Sequence, residues 1–275
     1  MVAVTKRIKI ATGILILPLH NPVRVAEDGA VVDNISNGRI ILGVAVGYNK
    51  EEFDGFGIPL NQRPSRLEEG IEIILKSWVD ESFTYHGKRF EFNNINVTPK
   101  PVQKPIPIYI GAFEEPAIRR AGRLGYPLLI SYVGTMQMIR DTVNAYNDAA
   151  REAGRDPNGV EHILLRQTYI AKNRKKAKDD ADKYIISMYR YYFSLAVKLF
   201  VRGKELTGLD DPLFDLLPED RLIIGDPEDC VREVKRYKDE LGINYIVCQM
   251  VFPQATHKTT SKCIELWGKE VISKI

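Results

Sequence analysis

Cysteine is scarce in this chain of 275 residues: Cys230, Cys248 and Cys263 are the three present. The number is odd, the spacings are long and no CxxC pair occurs. That pattern argues against a disulfide framework and against a zinc site, and it points to a reducing, cytoplasmic setting. Charge of one sign is equally lacking. Lys and Arg number 39 against 36 Asp and Glu, a formal net charge of +3. The basic residues are scattered, so no nucleic-acid footprint emerges. The densest basic stretch, Lys172 to Lys178 (KNRKKAK), reads as the solvated start of a helix. No apolar run reaches the roughly 20 residues of a membrane-spanning helix. Met1 is followed by a strand-like segment bounded by charges and not by a signal peptide. The HExxH, Walker and GxSxG patterns are missing, and no GxGxxG follows the first strand, which counts against a dinucleotide fold. His86 reads as a hairpin-turn residue. His162 and His257 flank strands without Asp or Cys partners at metal-ligand spacing, so no metal is expected.

What is present is an apolar fraction of 44%, enough for a sizeable core. The apolar runs alternate between strand and helix character. Arg7 to Leu17 (RIKIATGILIL) is apolar and β-branched and predicts a buried strand. Asn21-Pro22 opens a helix that stops near Asn37-Gly38. Arg39 to Val46 is the next strand, and Tyr48 to Ser65 a long loop. Arg66 to Val79 is an amphipathic helix, Phe83 to Phe92 a hairpin turning at His86-Gly87, and Thr98 to Pro107 an extended proline-rich connector. Strands follow at Ile108 to Gly111, Leu128 to Ser131, His162 to Ala171 and Tyr245 to Met250. Helices are predicted over Pro116 to Leu124, Thr135 to Ala153, Lys175 to Arg202, from Asp226-Pro227, and from about Thr259 to the end. Glu205 to Arg221 reads as a loop or short helix. Strands alternating with helices imply an α/β fold with a parallel sheet covered on its faces, and no linker divides residues 1–275 into separate domains. Six main strands suffice for an open doubly wound sheet, whereas a closed eight-stranded barrel needs two more.

Several stretches, in order, resemble the luciferase-like monooxygenases, a superfamily of FMN- or coenzyme F420-dependent oxidoreductases. Ile35 to Gly57 reads ISNGRIILGVAVGYNKEEFDGFG, Arg63 to Trp78 reads RPSRLEEGIEIILKSW, and Thr98 to Ala112 reads TPKPVQKPIPIYIGA. Gly225 to Tyr245 (GDPEDCVREVKRYKDELGINY) is similar to the family's last helix–strand unit. The resemblance implies a TIM-type (β/α)8 barrel. It aligns the Arg7 strand with the family's third strand, so the chain would be an N-terminally truncated or incomplete barrel of about six βα units. Two units, roughly 60 residues, would then be missing, and an N-terminal complementing piece would be a conceivable partner. A homodimer is implied by analogy.

The resemblance also implies a site at the C-terminal mouth of the barrel. A flavin ring would rest against a non-proline cis peptide at Gly13-Ile14, with Ala45, Val46, Gly111, Ala112 and Ser131 around it. Gly111-Ala112, just before a helix, corresponds to the family's phosphate site. Here Glu114 and Glu115 sit beside it and Pro116 removes a donor. Val46 stands where luciferase-type members place an arginine. His20, at the mouth end of the first strand, could serve as acid or base or act as a structural cap. Tyr48 could line a substrate pocket or simply pack. Glu52 could pair with Arg63 or Arg66 to order the long loop, and Arg63 could meet an anionic substrate or brace that loop. The aromatic run Tyr189 to Phe193 could line an apolar pocket, or form helix core or a dimer contact. The implied reaction is oxygenation of a small organic substrate by reduced FMN. F420-dependent hydride transfer and a non-catalytic flavin-binding barrel remnant are the alternatives.

Overall fold

A computed structural model describes residues 1–194, 200–201, 204–208, 211–212 and 221–275. By its internal contacts the chain divides into two compact units, Met1–Leu129 and Ile130–Ile275. No helix among the described residues is long and apolar enough to cross a membrane.

The sheet of the first unit is parallel. Strand β3 (Ile40–Ala45) is its centre, and all six of its residues are buried. It pairs on one side with two short pieces, β1 (Ile10–Ala11) and β2 (Leu15–Ile16), and on the other with β6 (Ile108–Gly111). Strand β7 (Leu128–Ile130) pairs with β6. The unbroken buried run of β3 is what a strand covered on both faces requires. The expected single buried strand over Arg7 to Leu17 needs correction. It breaks into two pieces, with Ala11, Thr12 and Gly13 exposed and Ile8 53% exposed. Both pieces hydrogen-bond to β3 alone among the described residues, so they form an edge and one flank stays open.

Helix α1 (Pro22–Ser36) begins as its sequence demands. The Asn21 side chain accepts from the Val23 N–H, Pro22 takes the first position, and Asn37 closes the helix in the left-handed conformation. Its partner α3 (Arg63–Val79) is locked to it where the Trp78 indole N–H donates to the Ala26 carbonyl at 2.9 Å. The loop expected over Tyr48 to Ser65 contains a short helix, α2 (Lys50–Gly55), capped by Asn49, and a 3-10 turn at Leu60–Gln62. Phe53 on α2 is wholly buried and gives this segment its anchor. In the hairpin β4 (Phe83–His86) and β5 (Glu91–Ile95), His86 is the last strand residue and not part of the turn. The turn is held by the Glu69 carboxylate, which accepts from the N–H groups of Lys88, Arg89 and Phe90. Helix α4 (Glu115–Leu124) lies between β6 and β7 in sequence and ends at Gly125.

The second unit is built around β8 (Ile163–Ile170), an eight-residue strand that is almost entirely buried. Strand β12 (Tyr245–Gln249) runs parallel to its first five residues, and β11 (Ile223–Gly225) to its last three. Strand β11 was not expected from the sequence. Helix α5 (Met136–Glu152) is capped by Thr135, and α6 (Arg174–Ala181) by Asn173, with exposed Lys175 and Lys176 at its start as the basic stretch predicts. One π-helical stretch (Asp182–Ile186) joins α6 to α7 (Ser187–Ser194). Helix α8 (Pro227–Leu241) has a full capping box between Asp226 and Asp229, and α9 (His257–Glu270) is capped by Thr256. The helix expected to run to Arg202 does not do so. Its described part ends at Ser194, and β9 (Phe200–Val201) pairs antiparallel with β10 (Lys204–Glu205). Residues 195–199, 202, 209–210 and 213–220 of the expected helix and loop lie outside the described residues.

Candidate functional site

Parallel strands aligned in register bring their C-terminal ends together, and in the first unit this gathers most of the expected site. Ile16 pairs with Ala45, Ala45 with Gly111, and Gly111 with Leu129, forming one row at the strand ends. The peptide bond Gly13-Ile14, just before β2, is cis, as the resemblance implied. The Ile14 side chain reaches two strands across: a Cβ built on Gly111 would collide with Ile14 Cδ1 and lie 3.5 Å from the Ala45 Cβ. Gly13, Ile14, Ala45 and Gly111 are therefore neighbours, with half-buried Val46 and Ala112 next along their chains.

Two features of this cradle had not been expected. Thr12 Oγ1 accepts from the Gly43 N–H at 2.9 Å and donates to the Gly43 carbonyl at 2.8 Å. The hydroxyl thus spans the gap in the ladder between β1 and β2. Gly43 admits no side chain, because a Cβ there would strike the Thr12 carbonyl. Gly47, just past β3, adopts φ +76°, and a Cβ would lie 2.6 Å from Ile16 Cγ2 and 2.9 Å from Phe53 Cε2. Both conformation and space require glycine here. The visible signal was a glycine inside a strand pattern, which marks close backbone approach.

The expected catalytic residues leave the same strand ends by loops. His20 follows the 3-10 turn Leu17–Leu19, and its own backbone N–H caps that turn by donating to the Leu17 carbonyl at 3.0 Å. Its side chain is exposed. Tyr48 is 88% exposed and packs little. Arg66 does not pair with Glu52. Its Nε donates to the Pro18 carbonyl at 2.8 Å and its guanidinium lies 4.6 Å over the Phe90 ring. A backbone carbonyl and an aromatic face outcompete a carboxylate on the exposed α2 helix, and the same bond ties α3 to the turn before His20.

At the start of α4, Glu114 occupies the cap position with no side-chain cap bond, Glu115 lies in the first turn and Pro116 follows. All three are exposed. Two carboxylates beside the free N–H groups oppose an anion there, dipole notwithstanding.

Ser131 belongs to the second unit and is half-buried. The segment after it is held by two buried arginines. Arg166 donates to the Tyr132 and Gly134 carbonyls at 3.1 and 2.9 Å, and Arg221 to the Val133 carbonyl at 3.0 Å. In the aromatic run, Tyr189 is buried and Tyr191 is 60% exposed, while the Tyr192 side chain lies outside the described residues.

Residues 1–244 match the family model described as luciferase-like monooxygenase. The alkanal monooxygenase alpha chain of the Kryptophanaron alfredi symbiont is 23% identical over 270 residues, covering 90% of this chain and 74% of that protein. Among solved structures, the oxygenating constituent of 3,6-diketocamphane monooxygenase from Pseudomonas putida, a type II Baeyer–Villiger monooxygenase in complex with FMN, superposes with a TM-score of 0.79 at 22% identity, covering 98% of this chain and 81% of that one. The coenzyme F420-dependent tetrahydromethanopterin reductase of Methanopyrus kandleri gives 0.78 at 23% identity, with 99% and 84% covered. The parallel strands and intervening helices share the fold of these luciferase-like proteins, and the chain belongs to the luciferase-like monooxygenase family of oxidoreductases.

Proposed function

We propose that the chain is a flavin-dependent monooxygenase that uses reduced FMN to oxygenate a small organic substrate. The observation that carries this reading is the close approach of Ile14 to Gly111 beside Ala45, across three strand ends. The residues fit a planar ring and do not fit a phosphate at the start of α4, where Glu114 and Glu115 stand. When bound, FMN would supply the two-electron chemistry and the activation of dioxygen. The chain's own part is to hold and shield. Gly13 and Ile14 would support one face of the ring. Ala45, Val46, Gly111 and Ala112 would offer backbone and small side chains along its edge. His20 would hold or move a proton near the mouth, and Tyr48 would cover the substrate and exclude water.

Coenzyme F420 is a second reading, supported by the equal likeness to an F420-dependent reductase. Residues 1–275 would work as one domain, as a homodimer in the cytoplasm; the three free thiols support the reducing compartment. Fluorescence titration of the purified chain with FMN and with F420, followed by oxygen uptake with reduced FMN, tests the proposal. Saturable FMN binding with oxygen consumption is expected. Tight F420 binding without FMN binding would replace the first reading by the second. FMN binding without oxygen uptake would make the chain a binder.

A further inference from the structure

Strands β8 and β12 place two glutamines side by side. Gln167 and Gln249 are register partners on these parallel strands, so their side chains leave the same face about 4.8 Å apart. Gln167 is wholly buried, yet neither its Oε1 nor its Nε2 has a hydrogen-bond partner, and Gln249 Oε1 is buried and unpartnered as well. A donor and two acceptors thus stand together without bonding one another. Burying an amide unmatched is costly, and folded proteins rarely do it without a reason.

The face they occupy can be assigned. Arg166 reaches Tyr237 on α8, so the even-numbered residues of β8 point toward α8 and Gln167, with Leu165, points to the opposite face. The same alternation places Tyr245 and Val247 beside Gln249. Both are partly open, Val247 to 42%. At the far end of this face the Tyr169 hydroxyl is taken by Asp180 at 2.8 Å, and its ring lies 5.8 Å from Tyr184. The result is an apolar face crossed by one polar row, with no charged side chain of β8 or β12 on it.

We propose that Gln167 and Gln249 are the polar floor of a ligand site, and that its ligand has an apolar body and one uncharged group able to donate and accept, a hydroxyl or a carboxamide. Two buried carbonyl oxygens without partners against one such NH2 group disfavour a carboxylate, and the carboxylate on this face, Asp180, is already held by Lys176 and Tyr169. The site uses no residue of the strand-end cradle, so it stands or falls apart from the cofactor reading.

The test is calorimetric titration of the full chain with benzamide and with benzyl alcohol, using toluene and sodium benzoate as controls. Saturable binding of at least one of the first two probes is expected, above either control. Which of the two binds separates the carboxamide from the hydroxyl. The affinity should fall about tenfold in Gln249→Leu or Gln167→Leu, the loss of one hydrogen bond between neutral groups. The free Gln167→Leu protein should melt no lower than the parent chain, since the variant discards an unmatched amide. Failure of both probes to bind, or affinities unchanged in both variants, overturns the proposal. So does a Gln167→Leu midpoint well below that of the parent, which would mean that the amide is satisfied within the fold.

Discussion

Thr12 holds Gly43 by both ends, its single hydroxyl accepting from the amide and donating to the carbonyl. Because β1 and β2 are separated by the chain turning at Gly13-Ile14, the ladder to β3 would otherwise lose a rung there. Replacement by valine keeps the shape and removes both bonds. Thr12→Val should cost about 1–2 kcal/mol in denaturant unfolding, and Thr12→Ser should recover most of it. Equal stability of Val and Ser variants would show that the hydroxyl merely points to solvent.

A second prediction concerns Gly111 and Ile14. A methyl at Gly111 meets the tip of a flexible side chain, so Gly111→Ala should fold, with Ile14 displaced into the space assigned to the ring. FMN affinity should drop about tenfold or more, one lost packing contact being worth about 1–2 kcal/mol. Trimming the partner in Gly111→Ala/Ile14→Val should restore part of the loss. Additive effects in the double variant would separate the two positions energetically.

These positions also show what a sequence discloses. Caps were legible because their chemistry is local: Asn21-Pro22, Asn37-Gly38 and Asp226-Pro227 each bound a helix where expected. Strand β11 was missed because three apolar residues after Arg221 carry no period to read. The exposure of Ile8 and Ala11 was missed because apolarity alone does not tell an edge strand from a central one. Gly111 and Val46 were visible through the family pattern, whereas the Thr12–Gly43 bond and the Gln167–Gln249 pair depend on register between distant segments. Register is set by the whole sheet and leaves no mark in either strand alone. Arg66 was one of two arginines that charge alone offered to Glu52, and geometry gives it a carbonyl instead.

Acid should weaken the second unit through His162. Burial lowers its pKa from 6.5 to about 4, and the Tyr146 ring stands edge-on at 4.6 Å. The folded state therefore keeps the imidazole neutral while the unfolded chain takes up a proton below pH 6.5. This contribution is complete above pH 6.5 and is lost as the pH falls toward 4, about 3 kcal/mol in all. Chemical denaturation between pH 7 and 4 should show that slope, and His162→Phe should flatten it. An unchanged slope in the variant would assign the acid sensitivity elsewhere.

The largest single loss is expected at Arg166. Its side chain is wholly buried on β8, where Nε donates to the Tyr237 hydroxyl at 2.8 Å and the two terminal nitrogens reach the Tyr132 and Gly134 carbonyls. The guanidinium also lies 4.9 Å over the Tyr237 ring. Methionine has a similar length and no donors, so Arg166→Met strands two backbone carbonyls and one hydroxyl. Each lost bond to a charged donor is worth about 1.5–3 kcal/mol, offset in part because burying the cation was itself unfavourable. A net loss of about 3 kcal/mol is expected from Arg166→Met, against about 1 kcal/mol from Tyr237→Phe, which removes one neutral acceptor and keeps the ring. Hydrogen exchange should localise the difference. Arg166→Met should speed exchange at residues 132–135, directly after Ser131, while Tyr237→Phe leaves that segment protected. Equal exchange in both variants would mean that Arg221, bonded to the Val133 carbonyl, holds the segment alone.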